Sequence, residues 1–376
     1  MRIAILGAGP AGLYTAYLLK KHSVASEVAV FEQNPPDATF GFGVVFSDRA
    51  LEFLREDDPE THALIAPELE TWEDITLNHP DRTIRIDGIG FAAIGRLHLL
   101  TLLQERAADV GVRPAYRHAV ADMSELDGFD LIVGADGANS LVRRSGDFGF
   151  SQELLSNRFV WYGTTKRFDT LTQTFKQTAA GSFNAHHYRY SPEMSTFIAE
   201  VDEATFAGAG FDRLDEAGTK THLEEVFRDE LDGHPLITNK SVWRQFPKVR
   251  NARWSDGNKV LVGDALRTAH FSIGSGTRLA LEDAIALVRA FDAHRGDLAV
   301  ALRSYEASRR PIVEKLVRAA DASAHWYEDF ATHVAQGAWP FAMSYITRSG
   351  RIDPARLAEI APRFAAEYRR QAGTGS

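Results

Sequence analysis

The sequence predicts an α/β fold: a β–α–β unit at the start, an inserted and mostly antiparallel β-sheet region in the middle, and a return to the first unit before C-terminal helices. Three observations carry it. An apolar run at 3–6 stops abruptly at Gly7 and leads through Gly7-Ala8-Gly9-Pro10-Ala11-Gly12 into Leu13, Ala16, Leu18 and Leu19 at helical spacing. From about 155 to 250, short alternating runs replace that spacing. Val260-Leu261-Val262 and Gly263-Asp264-Ala265 then restore a strand and turn, ahead of a glycine-rich loop and a helix from Arg278. The expected divisions are 1–154, 155–255 and 256–376, with strands at 71–94 able to join the inserted sheet.

The opening unit has the parts of a dinucleotide site. Gly7 allows the tight turn, Gly9 lets backbone approach a pyrophosphate, and Gly12 lets the helix pack close to the strand, with Ala11 on the same turn. The helix N-terminus offers free N–H groups and the positive end of its dipole to phosphates. A second apolar run at 28–31 ends in Glu32, 20 residues beyond Gly12. A carboxylate there accepts hydrogen bonds from an adenosine ribose and disfavours a 2′-phosphate. This finger by itself fits FAD and NAD(P) alike.

After Glu32, Asn34-Pro35-Pro36-Asp37 makes a turn-rich exit, followed by Phe40-Gly41-Phe42-Gly43-Val44-Val45-Phe46. Two glycines among aromatics suit backbone passing close to something flat, or equally a bulged strand entering the core. Ser47 suits the cap of a helix through Leu54. Ile75, Leu77, Ile84 and Ile86 read as strands joined by a turn at His79-Pro80-Asp81. Arg96 opens a helix with Leu97, Leu99, Leu100, Leu102 and Leu103 on its buried side, and 113–120 reads as another strand. A buried strand at 129–135 ends in Asp136-Gly137-Ala138-Asn139-Ser140, with Arg143 beyond. In the inserted region, strands are expected at 159–164, 171–177, 182–190 and 195–201, with one helix around 219–231. A long helix from Leu298, kinked at Pro311, runs toward Phe330. A helix at 354–369 and a disordered end at 373–376 finish the chain.

Composition excludes several functions. A chain of 376 residues with 44% hydrophobic content supports a sizeable core. Its formal charge of −9 argues against nucleic acid as a partner. The absence of cysteine excludes disulfides, thiolate metal sites and cysteine nucleophiles, and fits a reducing cytoplasm; no metal site is expected. No apolar run approaches 18 residues, so no membrane span is expected. The chain enters its first strand directly, without a charged n-region or cleavage site. A soluble enzyme, monomeric or homodimeric, is the expectation.

Three motifs now stand in order: the glycine finger at 7–12, Asp136-Gly137 after one strand and Gly263-Asp264 after another. This resembles the single-component FAD-dependent aromatic hydroxylases with the para-hydroxybenzoate hydroxylase fold, over roughly residues 1–330. The resemblance implies a Rossmann-type FAD-binding domain with an inserted substrate domain, with NAD(P)H, NADH in preference to NADPH, and O2 as co-substrates. It implies that the segment Val133 to Arg143, Asp136 included, serves both FAD and NAD(P)H. Asp264 would hold the ribityl and pyrophosphate portion, and Arg96 would be the FAD-contacting arginine. The helix opening at Gly274-Ser275-Gly276-Thr277 would point its positive end at the flavin N1–C2=O edge and stabilise the anionic reduced ring.

One branch matches more closely. Phe42-Gly43-Val44-Val45-Phe46-Ser47-Asp48, Trp161-Tyr162-Gly163-Thr164, Ala185-His186-His187-Tyr188-Arg189-Tyr190, Ser195-Thr196-Phe197-Ile198 and Thr268 to Thr277 are similar to segments of salicylyl-CoA 5-hydroxylases. They are shared with the monooxygenase half of anthraniloyl-CoA monooxygenase/reductase and, less closely, with tryptophan-ring hydroxylases of violacein biosynthesis. Arg267 departs from the histidine usual in the branch, and His270-Phe271 replaces a proline pair of the wider family. The fused reductase half is absent, so a hydroxylase alone is expected.

The implied reaction is ring hydroxylation through a flavin C4a-hydroperoxide, a weak electrophile that needs a dry pocket and an electron-rich ring. The phenol oxygen of salicylyl-CoA activates its para carbon, giving gentisyl-CoA; anthraniloyl-CoA, or a free indole or phenol, is the alternative. A non-hydroxylating flavin reductase or oxidase is a further alternative. Removing the phenolic proton increases activation, so a base near the ring is expected, with His270 and then His186 as candidates against an ordinary structural role. Val44, Tyr162, His187 and Tyr188 are candidate substrate contacts, though aromatic strands also simply pack. Arg82, Arg85, Lys166, Arg167, Lys176 and Arg189 are available for CoA phosphates, but they form no cluster in sequence.

Overall fold

A computed structural model describes residues 1–47 and 51–373. Strand Arg2–Leu6, helix Pro10–Lys21 and strand Glu27–Glu32 form the opening unit, and the two strands pair in parallel with Leu6 opposite Phe31. On its other side Arg2–Leu6 pairs with Leu131–Gly134, which in turn pairs with Lys259–Leu261. One sheet, parallel except at its Ser255–Asp256 edge, therefore collects strands from distant parts of the chain. Ser255–Asp256 and Ala115–Tyr116 complete its six strands at the edges. The run expected at 113–120 yields only the two-residue strand Ala115–Tyr116, because Pro114 precedes it and Arg117 turns away with positive φ.

Helix Pro10–Lys21 packs on this sheet, Arg96–Asp109 and Gly276–Ala293 pack on that helix, and Leu298–Glu328 packs on Gly276–Ala293, so that all four share one apolar core with the sheet. Leu298–Glu328 is a single 31-residue helix that continues through Pro311. Two Pro-started helices, Pro354–Ile360 and Pro362–Gly373, replace the single helix expected at 354–369; Pro362 cannot continue the helix before it. Gly373 lies in that last helix, and the rest of the end expected to be disordered, 374–376, lies outside the described residues. Ser47 ends the strand Gly43–Ser47, and the next described helix is Glu52–Asp57. The cap expected there falls partly on 48–50, also outside the described residues.

The inserted strands Phe150–Thr164, Leu171–Thr178, Gly181–Arg189 and Ser195–Val201 form most of a second sheet, joined by Leu236–Ile237 and Arg244–Asn251. Ile75–Asn78 pairs in parallel with Leu171–Thr178, and Thr83–Ile86 follows it as the edge, so part of the first segment joins this sheet. The region expected as one helix at 219–231 divides into Glu216–Val226 and Arg228–Leu231. Phe150–Thr164 carries a register break between Leu154 and Arg158. There Glu328 accepts hydrogen bonds from the Ser156 and Asn157 N–H groups. The bulge thus ties the sheet to the end of the long helix.

One face of this sheet packs on an aromatic cluster with Phe183, Phe197 and Phe227; the other turns toward the C-terminal helices. On that second side Phe175 meets Phe341 at 4.7 Å, Phe330 at 5.8 Å and Trp326 at 6.1 Å. Among the described residues no helix is long and apolar enough to cross a membrane. Phe175→Ala is expected to cost about 3–5 kcal/mol, as large buried aromatic truncations do. Urea unfolding measures it, and a loss below about 1 kcal/mol would show that the C-terminal helices do not depend on this ring.

Candidate active site

The glycine finger is built by close approach. Gly7 has φ +95°, and a Cβ there would lie 2.4 Å from the Ala135 carbonyl oxygen. A Cβ on Gly12 would lie 1.9 Å from the Gly7 oxygen. Gly9 is different: a Cβ there meets nothing within 4 Å, because Gly9 faces open space at the helix N-terminus. No side chain caps that terminus, so its N–H groups remain available. Glu32 is held beside it, accepting from Ala8 N–H at 2.9 Å and from the Asn34 backbone and side-chain nitrogens at 2.8 Å.

Two adjoining cavities share Gly9, Pro10 and Arg96. The smaller, about 130 Å³, reaches Glu32 and Tyr116. The larger, about 340 Å³, runs past Asp264 to the start of helix Gly276–Ala293 and ends under the second sheet. Ala11, Val44, Arg96, Asp264, Gly274, Gly276, Thr277, His186 and Tyr188 all line it. Arg96 has no hydrogen-bonded partner for its guanidinium among the described residues; burial lowers its pKa, and Asp264 opposes that shift. Asp264 opens onto the cavity but is ringed by protein, and burial raises its pKa against the pull of Arg96 and Arg267. An elongated, branched space with open glycine backbone, two uncapped helix starts and an unpaired cation fits a dinucleotide such as FAD.

Behind Asp264 lies a buried charge network. Asp283 accepts from Gly263 N–H at 3.1 Å, Arg267 at 2.6 Å and Arg309 at 3.1 Å. Arg309 also pairs with Glu282. Asp136 points away from the cavity, accepting from Leu141 N–H at 2.6 Å and Val142 N–H at 3.3 Å at the start of helix Leu141–Arg144. Burial raises its pKa.

The far end of the large cavity is walled by Phe159, Trp161, Phe246, Phe271 and Ile198. Strand parity decides which candidates face it. His186 and Tyr188 line it, whereas His187 lies on the opposite face, stacked on Phe197 at 5.3 Å and bonded to Thr174 Oγ1 at 2.9 Å. Tyr162 packs with Phe183 and Phe197 on that same opposite face, and its hydroxyl has no partner among the described residues. Tyr162 and His187 are therefore corrected from substrate contacts to packing residues. Gly41 and Gly43 lie against the rings of Trp161 and Tyr190, so the flat objects their backbone passes are protein rings.

His186 sits in an ordered network. The Gln173 amide donates to His186 Nδ1 at 2.9 Å, so Nε2 carries the hydrogen toward Glu200 at 3.2 Å. Tyr327 O–H donates to Gln173 Oε1 at 3.1 Å, and Asn157 donates to Glu200 at 3.0 Å. Burial pushes the pKa of His186 down to about 3, with Arg348 adding to it, and raises that of Glu200. His270 does not line the cavity. Its ring lies against Phe271 and Phe246, and Nδ1 bonds Ser272 Oγ at 2.8 Å. Burial lowers its pKa to about 4 despite Glu200. His270 lies behind Phe271 and off the chamber wall, out of reach of a ring bound there, which corrects the role expected of it.

Gln173 was missed; its strand was expected, but its register opposite His186 is seen only in the structure. Tyr345 and Arg348 also line the cavity, but they arrive on a C-terminal helix with no local motif to announce them. Arg348 donates to Tyr345 O at 2.6 Å, Ser323 Oγ at 3.0 Å and Ser272 O at 3.1 Å. Of the cations available for phosphates, Arg85, Lys166, Lys176 and Arg189 are each paired with a carboxylate.

A dinucleotide site that continues into an aromatic chamber under a mostly antiparallel sheet is the arrangement a flavin-dependent aromatic hydroxylase requires, and comparison with known proteins shows that class. The FAD binding domain family model matches residues 103–320, and an NAD(P)-binding Rossmann-like domain model matches 5–36. This chain belongs to the FAD-binding monooxygenase family, with FAD as cofactor and NAD(P)H as co-substrate. It is 44% identical over 361 residues to a salicyloyl-CoA 5-hydroxylase of Streptomyces sp, covering 93% of this chain and 70% of the relative. It is 36% identical to 3-hydroxy-4-methyl-anthranilyl-[aryl-carrier protein] 5-monooxygenase of Streptosporangium sibiricum, covering 90% and 96%. The tetrameric form of 2-methyl-3-hydroxypyridine-5-carboxylic acid oxygenase shares the fold at TM-score 0.70 and 19% identity, covering 96% and 95%.

Two outcomes are expected from these geometries. Gly9→Leu should fold and lose FAD, because its side chain enters open cavity, while Gly12→Ala should lose stability through collision with the Gly7 carbonyl. Flavin absorbance per folded protein and thermal unfolding separate the two, and full flavin in Gly9→Leu would refute the assignment. Acid should destabilise the protein as pH falls below about 6.5. The unfolded histidines bind protons there, whereas His186, His187 and His270 resist until about 3 to 4. His187→Gln should flatten that pH dependence in urea unfolding; an unchanged slope would show that His187 is protonated in the fold.

Proposed function

We propose that this protein hydroxylates the ring of an aroyl-CoA, converting salicylyl-CoA to gentisyl-CoA with NADH and O2. The observation that carries the reading is the 44% identity to a salicyloyl-CoA 5-hydroxylase across 93% of the chain. The aromatic chamber next to Asp264 supports it, being the dry, flat-walled space that ring attack requires. Bound FAD, reduced by NADH, supplies the activation of O2. Gly9, Ala11 and the helix N-terminus would take the pyrophosphate, Glu32 the adenosine ribose, and Arg96 and Asp264 the middle of the cofactor. Gly274, Gly276 and Thr277 would present helix N–H groups to the ring edge. The chamber's aromatic wall, with Val44 and Tyr188, would hold the substrate ring flat and exclude water. The parts 1–154 and 256–376 would carry the cofactor, and 155–255 the substrate.

A ring-amino substrate on CoA or on a carrier protein is the second reading, favoured by the Streptosporangium relative. A panel of salicylyl-CoA, anthraniloyl-CoA, salicylate and tryptophan decides. Salicylyl-CoA should stimulate NADH oxidation and give gentisyl-CoA in matching amount. Turnover of free salicylate with none of its thioester would remove the CoA assignment. Asp264→Ala should weaken FAD retention about ten- to a hundredfold, the usual value of one charge-assisted contact. Unchanged flavin affinity by dialysis and fluorescence would show that this turn is only structural.

A further inference from the structure

We propose that Arg348 binds the substrate's ring oxygen as an anion, and so selects hydroxyaryl over aminoaryl rings. The inference rests on the reading of the chamber as an aroyl hydroxylation site. Arg348 stands on the chamber wall beside Ser272 and Tyr345. Three protein acceptors hold its guanidinium: the carbonyls of Tyr345 and Ser272 and the Ser323 hydroxyl. Its plane is seated 3.9 Å from the Tyr345 ring centroid and 5.5 Å from that of Tyr327. A guanidinium has five N–H donors, so two remain for a ligand. No carboxylate lies within 4 Å of it among the described residues, in contrast to the nearby Arg250, Arg267 and Arg309, each paired with an acid. A fixed, uncompensated cation on the wall of an otherwise aromatic chamber is a site for an anionic oxygen.

The groups around it leave no competing way to activate a phenol. His186 and His270 face Arg348 from the sheet and from the turn before the cofactor helix, and both are held neutral. Glu200, the acid behind them, is bonded to His186 and Asn157 and does not reach the chamber. Tyr327 keeps its proton, because burial pushes its pKa far up. A phenol near pKa 10 cannot pass its proton to an imidazole near 3 or 4 at useful equilibrium, the gap being roughly six powers of ten. A cation within contact distance lowers a phenol's pKa by about 1–3 units. That brings ionisation of the bound phenol to about pH 7–9, and through that range the substrate binds increasingly as phenolate, its proton leaves to bulk water on binding, and its ring is activated before any oxygen arrives. An aniline nitrogen has no accessible anion and presents N–H to the same N–H donors. The site repels it.

The test uses FAD-loaded protein and salicylyl-CoA without NADH. Difference absorbance should show the bound phenol as phenolate at about pH 9, where the free ligand is still mostly neutral, and titration there in buffers of different ionisation enthalpy should show up to about one proton released per ligand bound. Arg348→Met should bind the neutral phenol without proton release, and Arg348→Lys should recover part of the phenolate signal. The ratio of kcat/KM for salicylyl-CoA over anthraniloyl-CoA should fall at least about tenfold in Arg348→Met. If Arg348→Met does not fold or load FAD, the wild-type spectrum and Arg348→Lys decide. Neutral phenol in the wild-type complex, or phenolate retained in Arg348→Met, overturns the inference while leaving hydroxylation standing. Failure of wild type to bind salicylyl-CoA at all overturns the aroyl reading and this inference with it.

Discussion

Three stretches of backbone distant in sequence meet within contact distance, and the cofactor site depends on that meeting. Gly7 abuts Ala135, Gly12 abuts Gly7, and a Cβ on Gly263 would sit 3.0 Å from that of Ala11. Each contact tolerates hydrogen and little more. The parallel sheet sets the distances, because the strands ending at Leu6, Gly134 and Leu261 are neighbours in one ladder. Their C-terminal ends therefore open at one edge, where strand-following loops and helix starts converge on a ligand. The interleaved chain order is a consequence: the third strand can arrive only after the inserted sheet is complete.

The turn at Gly263 is held by charge as well as by packing. Asp283 is fully buried, and it survives there because two arginines and a backbone N–H satisfy its oxygens. Such a network contributes little net stability, since desolvating four ions costs about as much as their attraction returns. Removing one member is different, for it strands a buried charge. Arg267 is part of this network and also donates to the Gly263 carbonyl, so the residue that departs from the pattern of the branch it resembles bears on the placement of Asp264. The network acts through geometry: it fixes where Gly263 turns, and hence where the Asp264 carboxylate enters the cavity.

Most of the fold was legible because its signals are local. The glycine finger, the alternating strands and the two strand–turn returns each lie within a dozen residues. What was not legible depends on parity or on distance. His186 and His187 are adjacent in sequence, yet the pleat sends one into the chamber and the other into the core. Parity relative to Tyr188 was available; which face held the cavity was not. His270 failed for another reason, since proximity to the cofactor helix in sequence does not say which way a ring turns, and Phe271 takes the chamber face instead. Arg348 and Tyr345 carry no signal at all, because the C-terminal helices reach the chamber only through tertiary packing on Phe175 and Trp326.

The electrostatics of the cavity follow from these placements. At the cofactor end Arg96 and Asp264 both line the cavity, so each sees a counter-charge while neither side chain has a hydrogen-bonded partner among the described residues. At the substrate end the imidazoles are neutral by burial, and their one acid is withdrawn behind them and satisfied by Asn157 and His186. A wall of this kind neither supplies nor takes up protons near neutral pH. Among the described residues the permanent charge on this part of the wall is the guanidinium of Arg348. Burial, which makes the histidines poor bases, also strengthens the field of that single cation, because the low-dielectric chamber screens it weakly. Both effects have one cause, the sealing of the sheet face by Tyr327, Tyr345 and the C-terminal helices.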